Sequence, residues 1–306
     1  MDRLRWHEVP EQVRAAAEKA LGSSVAHDLP QSGGFSPGLA SRLVLGDGRR
    51  VFAKAVSAER NARSPELHRR EIAVMRALPD TLPAPALQWD FDDGDWVVLV
   101  LDDVQGRMPD EPWQADQLTQ AMTALEQLAE RLTPAPIETL SIQDDLKDNF
   151  QSWSALTADP EKTRHLDPWA QRNLEWLAEV ESGWAQAAEG ESLLHTDLRA
   201  DNMLLTPSGV VVVDWPYAVR GAAWVDAVMF LPSVAASTPV DLDQVWSEFA
   251  PARGVDADAV NAVLAAVAGD FLYQSLLPAP ENIPSLRQHQ HDRGQAALTW
   301  LRSRVS

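Results

Sequence analysis

The sequence predicts an α+β chain in two parts, a small β-rich one followed by a larger, mainly helical one. Three observations lead there. Between Gln31 and Leu101, short apolar runs are punctuated by Gly and Asp, as in LASRLVLGDGRRVFAKAV and WDFDDGDWVVLVLDD, which is strand-and-turn chemistry. Beyond Gly106, apolar residues recur at helical spacing. The 306 residues are 45% hydrophobic and 23% charged, an ordinary globular composition. That length suits two lobes of about 100–200 residues each. The expected division is 1–101, a connector at 102–106, and 107–306.

Residues 9–21 (VPEQVRAAAEKAL) have the spacing of an amphipathic helix, closed by Gly22. From Gln31 a glycine-rich loop leads into two strands joined at Gly46-Asp47-Gly48, with a third strand ending near Val56. Ser64-Pro65 supplies N-cap and first-turn chemistry for a helix that prolines 79, 83 and 85 stop. A hairpin follows around Asp93-Gly94. Its second strand, Trp96–Leu101, is continuously apolar and therefore central. Helices are expected over 115–132, 144–156, 168–188, 255–277 and 285–305. The exception is 192–219, where Met203–Thr206 and Val210–Val213 are β-rich.

Composition excludes several classes of function. Without cysteine there is no disulfide framework, thiol catalysis or Cys-ligated zinc, in keeping with a reducing cytoplasm. No apolar run approaches the ~18 residues of a membrane helix, and the N-terminus lacks the apolar core of a secretory signal. A net charge of −19 is unsuited to tracking a nucleic-acid backbone. Neither nucleic acid nor membrane is expected as a partner. The charge is uneven, with 13 basic and 14 acidic residues through Leu101 against 13 and 31 beyond. The acidic second part would attract a cationic ligand, or simply be a solvated surface.

The chemistry is concentrated in His195-Thr196-Asp197-Leu198-Arg199-Ala200-Asp201-Asn202, followed by Val213-Asp214-Trp215. Oxygen-bearing Asn202 and Asp214 suit a hard cation such as Mg²⁺, leaving another carboxylate free to take a proton from a hydroxyl. Alternatively these residues cap a turn, which Asp and Asn favour. Lys54 lies mid-strand in VFAKAV, where an isolated charge needs a partner or a snorkelling path to water. Glu71 in the following helix could pair with it, and Glu66 competes. In QSGGFSPG, Gly33 and Gly34 allow backbone N–H groups to turn toward phosphates and Ser36 adds a hydroxyl, although a plain turn has the same composition.

In order and separation, these elements resemble the aminoglycoside phosphotransferase family, small-molecule kinases with a bilobal protein-kinase-like fold, over roughly residues 30–232. The resemblance implies that Asp197 is the catalytic base, Asn202 and Asp214 the Mg²⁺ ligands, and His195 a brace for the loop. It implies that Lys54 holds the α/β-phosphates of ATP and Glu71 holds Lys54. Gly33, Gly34 and Ser36 would form the phosphate loop, and the backbone of Asp102, Asp103 and Val104 would meet the nucleobase. ATP is the expected donor, with GTP left open. The chain departs from the family's usual pattern by Thr196 in place of Gly, and by Arg199-Ala200-Asp201 in place of His-Pro-Gly. Asp226 in WVDAVMFL corresponds to an aspartate that opens the next helix and is read as structural.

The expected acceptor is a hydroxyl-bearing small molecule, cationic and aminoglycoside-like or an amino-sugar, which would make antibiotic resistance the role. A macrolide, homoserine, a choline-like amine or a sugar is the alternative. The tryptophans of the second part (113, 153, 169, 176, 184, 224, 246 and 300) would stack on a ligand or anchor the packing. Asp144, Asp145 and Asp148 would contact amines or be solvated helix-end charges. Two other classes are a catalytically silent nucleotide-binding fold and a metal-dependent hydrolase using His195, Asp197 and Asp214. The oligomeric state is not encoded in any of these features.

Overall fold

The computed structural model describes residues 4–31, 38–61, 64–280 and 283–306. Two compact units divide the chain, Met1–Pro109 with Ala200–Ala218, and Asp110–Arg199 with Val219–Ser306.

The first unit opens with helix α1 (Glu11–Leu21), closed at Gly22 in the left-handed conformation with φ 72°. Strands β1 (Val25–Pro30), β2 (Leu39–Leu45) and β3 (Arg50–Ser57) come next. Helix α2 (Ser64–Ala77) and strands β4 (Leu87–Asp92) and β5 (Trp96–Asp102) complete this part. The sheet is antiparallel, in the order β1-β2-β3-β5-β4. Among the described residues the stretch 31–57 holds two strands, β2 and β3, in place of the three expected, and the strand ending near Val56 is β3 itself; β1, which precedes the glycine-rich segment, was not expected. VAHDLP is an edge strand with two of six residues half-buried and four exposed, so it carries little apolar signal. At the start of α2, the Ser64 N–H donates to the Asn61 carboxamide at 3.0 Å, so Asn61 supplies the cap expected of Ser64.

Strand alternation decides what faces what. Val51, Ala53 and Ala55 of β3 join Val98 and Val100 of β5 in a core with Val13, Ala17 and Leu21 of α1. Lys54, between two of these alanines, must point to the other face. In α2, His68, Glu71, Ile72 and Met75 are buried at i, i+3, i+4 and i+7 spacing. Strand β5 lies between β3 and β4, and Val97–Leu101 are at most 3% exposed, as its continuous apolar run predicts. Gly38 enters β2 so close to β3 that a Cβ there would stand 2.3 Å from the Ala55 carbonyl oxygen.

The second unit is helical, with α3 (Ala115–Arg131), α4 (Ile142–Leu146), α5 (Ser152–Thr157), α6 (Pro160–Thr163), α7 (Pro168–Arg172), α8 (Leu174–Glu181) and α9 (Trp184–Ala187). The expected helices over 144–156 and 168–188 are thus broken into shorter pieces. The chain then forms β6 (Ser192–Leu194). The first unit's hairpin β7 (Met203–Thr206) and β8 (Gly209–Val212) comes next in sequence, before β9 (Val219–Gly221) pairs with β6. Helices α10 (Val225–Ala235), α11 (Leu242–Glu248), α12 (Ala257–Ser275) and α13 (Leu286–Arg304) close the unit. Helix α12 is buried on nearly every side, from Val260 to Gly269 without interruption.

The hairpin returns to the first unit through named bonds. Leu205 and Arg107 exchange backbone hydrogen bonds at 2.7 and 3.2 Å, and Val212 N–H donates to the Pro83 carbonyl at 2.7 Å.

Candidate active site

In the first unit the ammonium of Lys54 meets both oxygens of Glu71, at 2.7 and 2.9 Å, and Asp214 Oδ1 at 2.5 Å. Glu66 is the partner of Arg69 at 4.0 Å, on the exposed side of α2. Glu71 is 1% exposed and also accepts the Trp215 N–H at 3.4 Å. One cation therefore faces two carboxylates, and burial pushes the Glu71 carboxyl up against the pull of Lys54. Burial pulls the Lys54 ammonium down, but the charges of Asp214 and Glu71 outweigh it and hold it above the ordinary lysine range. Lys54 thus stays protonated. The neighbouring His68 is driven the other way, to about 4, by burial and by the charge of Lys54, so its imidazole is neutral.

Asp214 is the member of this group open to solvent, its side chain 39% exposed. It sits at φ 70°, in the left-handed region that few non-glycine residues occupy. The preceding Val213 N–H donates to the Asn202 carbonyl at 3.0 Å, so Asn202 and the strand leading to Asp214 share adjoining backbone. The oxygen donors of Asn202 and Asp214 would suit a magnesium ion that arrives with phosphates, because such an ion takes only one or two protein ligands. Among the described residues, no group of three His, Cys, Asp or Glu side chains is arranged to hold a metal by itself.

The connector carboxylates are committed to the sheet. Asp103 accepts from Arg42 at 3.1 Å, Arg50 at 2.8 Å and Gln105 at 2.8 Å. Asp102 accepts from Gln88 at 2.7 Å and from the Ala86 N–H at 3.3 Å. Neither side chain is held in readiness for a ligand, which leaves the backbone and the half-buried Val104 for that purpose. Gly33, Gly34 and Ser36 lie outside the described residues.

In the second unit, the loop after β6 is organised by Asp226. Its carboxylate accepts the backbone N–H groups of His195 and Thr196, both at 2.8 Å, and burial pushes its carboxyl up. Thr196 has φ 61°, a conformation costly for a β-branched residue, at the position where the resembling pattern has glycine. His195 is fully buried and its Nδ1 accepts the Asp197 N–H at 3.2 Å, so the imidazole proton resides on Nε2. Asp197 keeps 29% of its side chain exposed, and Arg199 Nη1 lies 3.8 Å from its Oδ1. Sequence reasoning treated Asp226 only as a helix opener and assigned nothing to His68 or Arg199. The departure from His-Pro-Gly was the one signal at Arg199.

Six of the eight second-part tryptophans, 113, 153, 184, 224, 246 and 300, are at most 8% exposed and anchor the packing. Trp169 and Trp176 are half-buried and stacked edge-on at 5.9 Å, with Arg302 over Trp169. Asp144 lies in the first turn of α4, where Ser141 caps its N–H, and it is exposed along with Asp148.

No curated protein sequence matches the chain. Solved structures do match its fold. A thermostable mutant of the aminoglycoside phosphotransferase APH(4)-Ia, in ternary complex with ADP and hygromycin B, shares 15% identity and a TM-score of 0.58, covering 94% of this chain and 98% of that one. Choline kinase LicA from Streptococcus pneumoniae shares 14% identity and a TM-score of 0.60, covering 96% and 99%. An aminoglycoside phosphotransferase from Alicyclobacillus acidocaldarius shares 17% identity and a TM-score of 0.53, covering 92% of each. The antiparallel sheet followed by a mostly helical part is the protein-kinase-like architecture of these neighbours. The model of the phosphotransferase enzyme family matches residues 32–263, a span that holds Lys54, Glu71, Asp197, Asn202, Asp214 and Asp226, and the chain belongs to that family.

Proposed function

We propose that this phosphotransferase moves the γ-phosphate of ATP to a hydroxyl of a cationic small molecule, an aminoglycoside-like compound or amino-sugar. The observation that carries this reading is the group Lys54–Glu71–Asp214, in which a lysine kept charged in a buried setting is held by one carboxylate beside a second, solvent-facing one. Lys54 is placed to hold the α- and β-phosphates while Glu71 fixes its direction. Asn202 and Asp214 would hold Mg²⁺, which when bound neutralises phosphate charge and orients the γ-phosphate. Asp197, five residues before Asn202, accepts the hydroxyl proton, and His195 and Asp226 fix the loop that carries it. Gly33, Gly34 and Ser36 would cradle the phosphates, and the backbone of Asp102–Val104 would meet the nucleobase.

The nucleotide assignment is supported by the ADP in the APH(4)-Ia complex and the acceptor class by its hygromycin B, with choline as a second cationic precedent. The acidic excess beyond Leu101 favours a cation over an anion. The test is a panel of aminoglycosides, amino-sugars and choline incubated with ATP and Mg²⁺, read by mass spectrometry for added phosphate. Asp197→Asn should leave the ATP dissociation constant unchanged and lower transfer on the order of 10²–10⁴. If Asp197 merely caps the loop, Asn will serve equally and transfer will persist, overturning its role as base.

A further inference from the structure

We infer that Asp103 is a positioning residue for the nucleobase: held between Arg42 and Arg50, it presents the backbone of Val104 as the edge that reads the base. This rests on the nucleotide reading proposed above. Asp103 stands one residue beyond the end of β5, and its side chain is only 2% exposed. Arg42 Nε lies 3.1 Å from its Oδ1, and Arg50 Nε donates to its Oδ2 at 2.8 Å. The two guanidinium groups come from the paired strands β2 and β3, and each takes a different oxygen. The Gln105 carboxamide closes the other side, donating to Oδ2 at 2.8 Å and to the Asp103 carbonyl at 3.3 Å. One carboxylate thus ties the connector to two strands and to its own next turn of chain.

What these bonds hold is the peptide between them. On one side the Asp102 N–H donates to the Ala86 carbonyl at 2.9 Å, and on the other Arg107 and Leu205 exchange their backbone bonds. Between these anchors lies Val104, half-buried, whose N–H and C=O have no hydrogen-bond partner among the described residues. Backbone groups so placed are ordinarily paired, and a purine offers an acceptor and a donor on one edge. Each residue has only two soft dihedrals, so fixing Asp103 and Gln105 on either side fixes where those two groups point. An edge already ordered spares the base the cost of ordering it. The arginine side chains are 24% and 39% exposed and can turn to water if the carboxylate is removed. Such partly exposed pairs add little to stability, so the loss of Asp103 should be felt chiefly in the position of the connector.

The alternative is that these bonds only brace the sheet, and calorimetric titrations of the full-length protein separate the two. The probes are Mg·ATP and Mg·tripolyphosphate, which carries the phosphates without the base. Asp103→Ala should weaken Mg·ATP about tenfold while binding Mg·tripolyphosphate within about twofold of wild type. Asp103→Asn keeps one acceptor oxygen and should weaken Mg·ATP about threefold, again without touching tripolyphosphate, which decides the matter if the alanine variant does not fold. Equal losses for both probes, or none for either, overturn the inference. A wild type that binds Mg·ATP no better than Mg·tripolyphosphate overturns the nucleobase reading itself, a failure distinct from the first.

Discussion

The backbone N–H of Thr196 donates to the carboxylate of Asp226 at 2.8 Å, and it does so from a φ of 61°. A β-branched residue in that region costs about 1–3 kcal/mol, and it persists only where its surroundings over-determine it. Asp226 does this by accepting two consecutive N–H groups with one buried carboxylate. Thr196→Gly should relieve the strain at a backbone-entropy cost of about 0.5–1 kcal/mol, for a net gain of roughly 1 kcal/mol. Melting should rise by about 2 °C. Asp226→Ala should instead lose several kcal/mol by stranding two N–H groups at about 1–3 kcal/mol each. A melting point lower in Thr196→Gly than in wild type would show that the threonine side chain earns its place by contacts that exceed the strain.

The Lys54 group can be taken apart in two steps. Lys54→Met removes the cation that buried Glu71 shares with Asp214, and breaking such a pair costs about 3–5 kcal/mol. The double variant Lys54→Met with Glu71→Gln should recover most of that stability. It should not recover the ATP-induced rise in melting temperature, which in the wild type corresponds to about 2.7 kcal/mol at a hundredfold excess over the dissociation constant. An ATP shift undiminished in the double variant would remove Lys54 from the phosphate site.

Magnesium dependence should map onto Asp214 and Asn202. Asp214→Asn keeps the shape and removes the charge, so the Mg²⁺ titration of nucleotide binding should shift to far higher concentration. Asn202→Ala should shift it less, because a neutral ligand is lost and the carboxylate remains. Titrating Mg²⁺ at fixed ATP checks both, and a curve unchanged in Asp214→Asn would point to another ligand, with Asp201 the next candidate.

Glu181 gives the second unit a pH dependence. Its carboxylate, 2% exposed, accepts the N–H groups of Trp153 and Ser154 at the start of α5. Burial pushes it up to about 7, against the pull of those donors, and nearby Asp270 adds to the rise. An unfolded glutamate titrates near 4.3, so between that pH and about 7 the folded chain holds a proton that the unfolded one has lost. This group's contribution to stability is therefore full below about 4.3, falls as pH rises, and levels off above about 7, a change of order 3 kcal/mol. Glu181→Gln, whose carbonyl can accept the same donors, should erase that slope and be the more stable protein at pH 8. Parallel denaturant titrations of the two proteins from pH 5 to 8 provide the check, and parallel stability curves would contradict it.

Much of the first unit was legible because its rules are local. Lys54 in a strand interior demands a partner, and the phase of α2 decides which one. Glu71 shares the buried stripe with His68, Ile72 and Met75, whereas Glu66 falls on the exposed side. The second partner, Asp214, lies 160 residues away, and no short-range pattern ties it to Lys54. Helix α10 was expected only through the resemblance at Asp226, because VDAVMFLPSVA is buried on almost every side and contains Pro232, so it has no amphipathic period to detect. Strands β6 and β9 are three residues each and find their register only with each other. Asp226 was placed correctly at the head of its helix. What the sequence does not carry is that the carboxylate turns back to a loop 30 residues earlier.

The composition of the first unit from two separate stretches of chain has a consequence for synthesis. A ribosome delivers Lys54 and Glu71 early but adds the β7–β8 hairpin and Asp214 only after the whole of 110–199 has been made. The nascent sheet must wait without the backbone that pairs with Arg107 and Pro83, and without the carboxylate that completes the lysine's surroundings. Fragments ending near Pro109 should therefore be poor mimics of this unit. Grafting 200–218 behind them through a flexible linker is the more promising minimal chain.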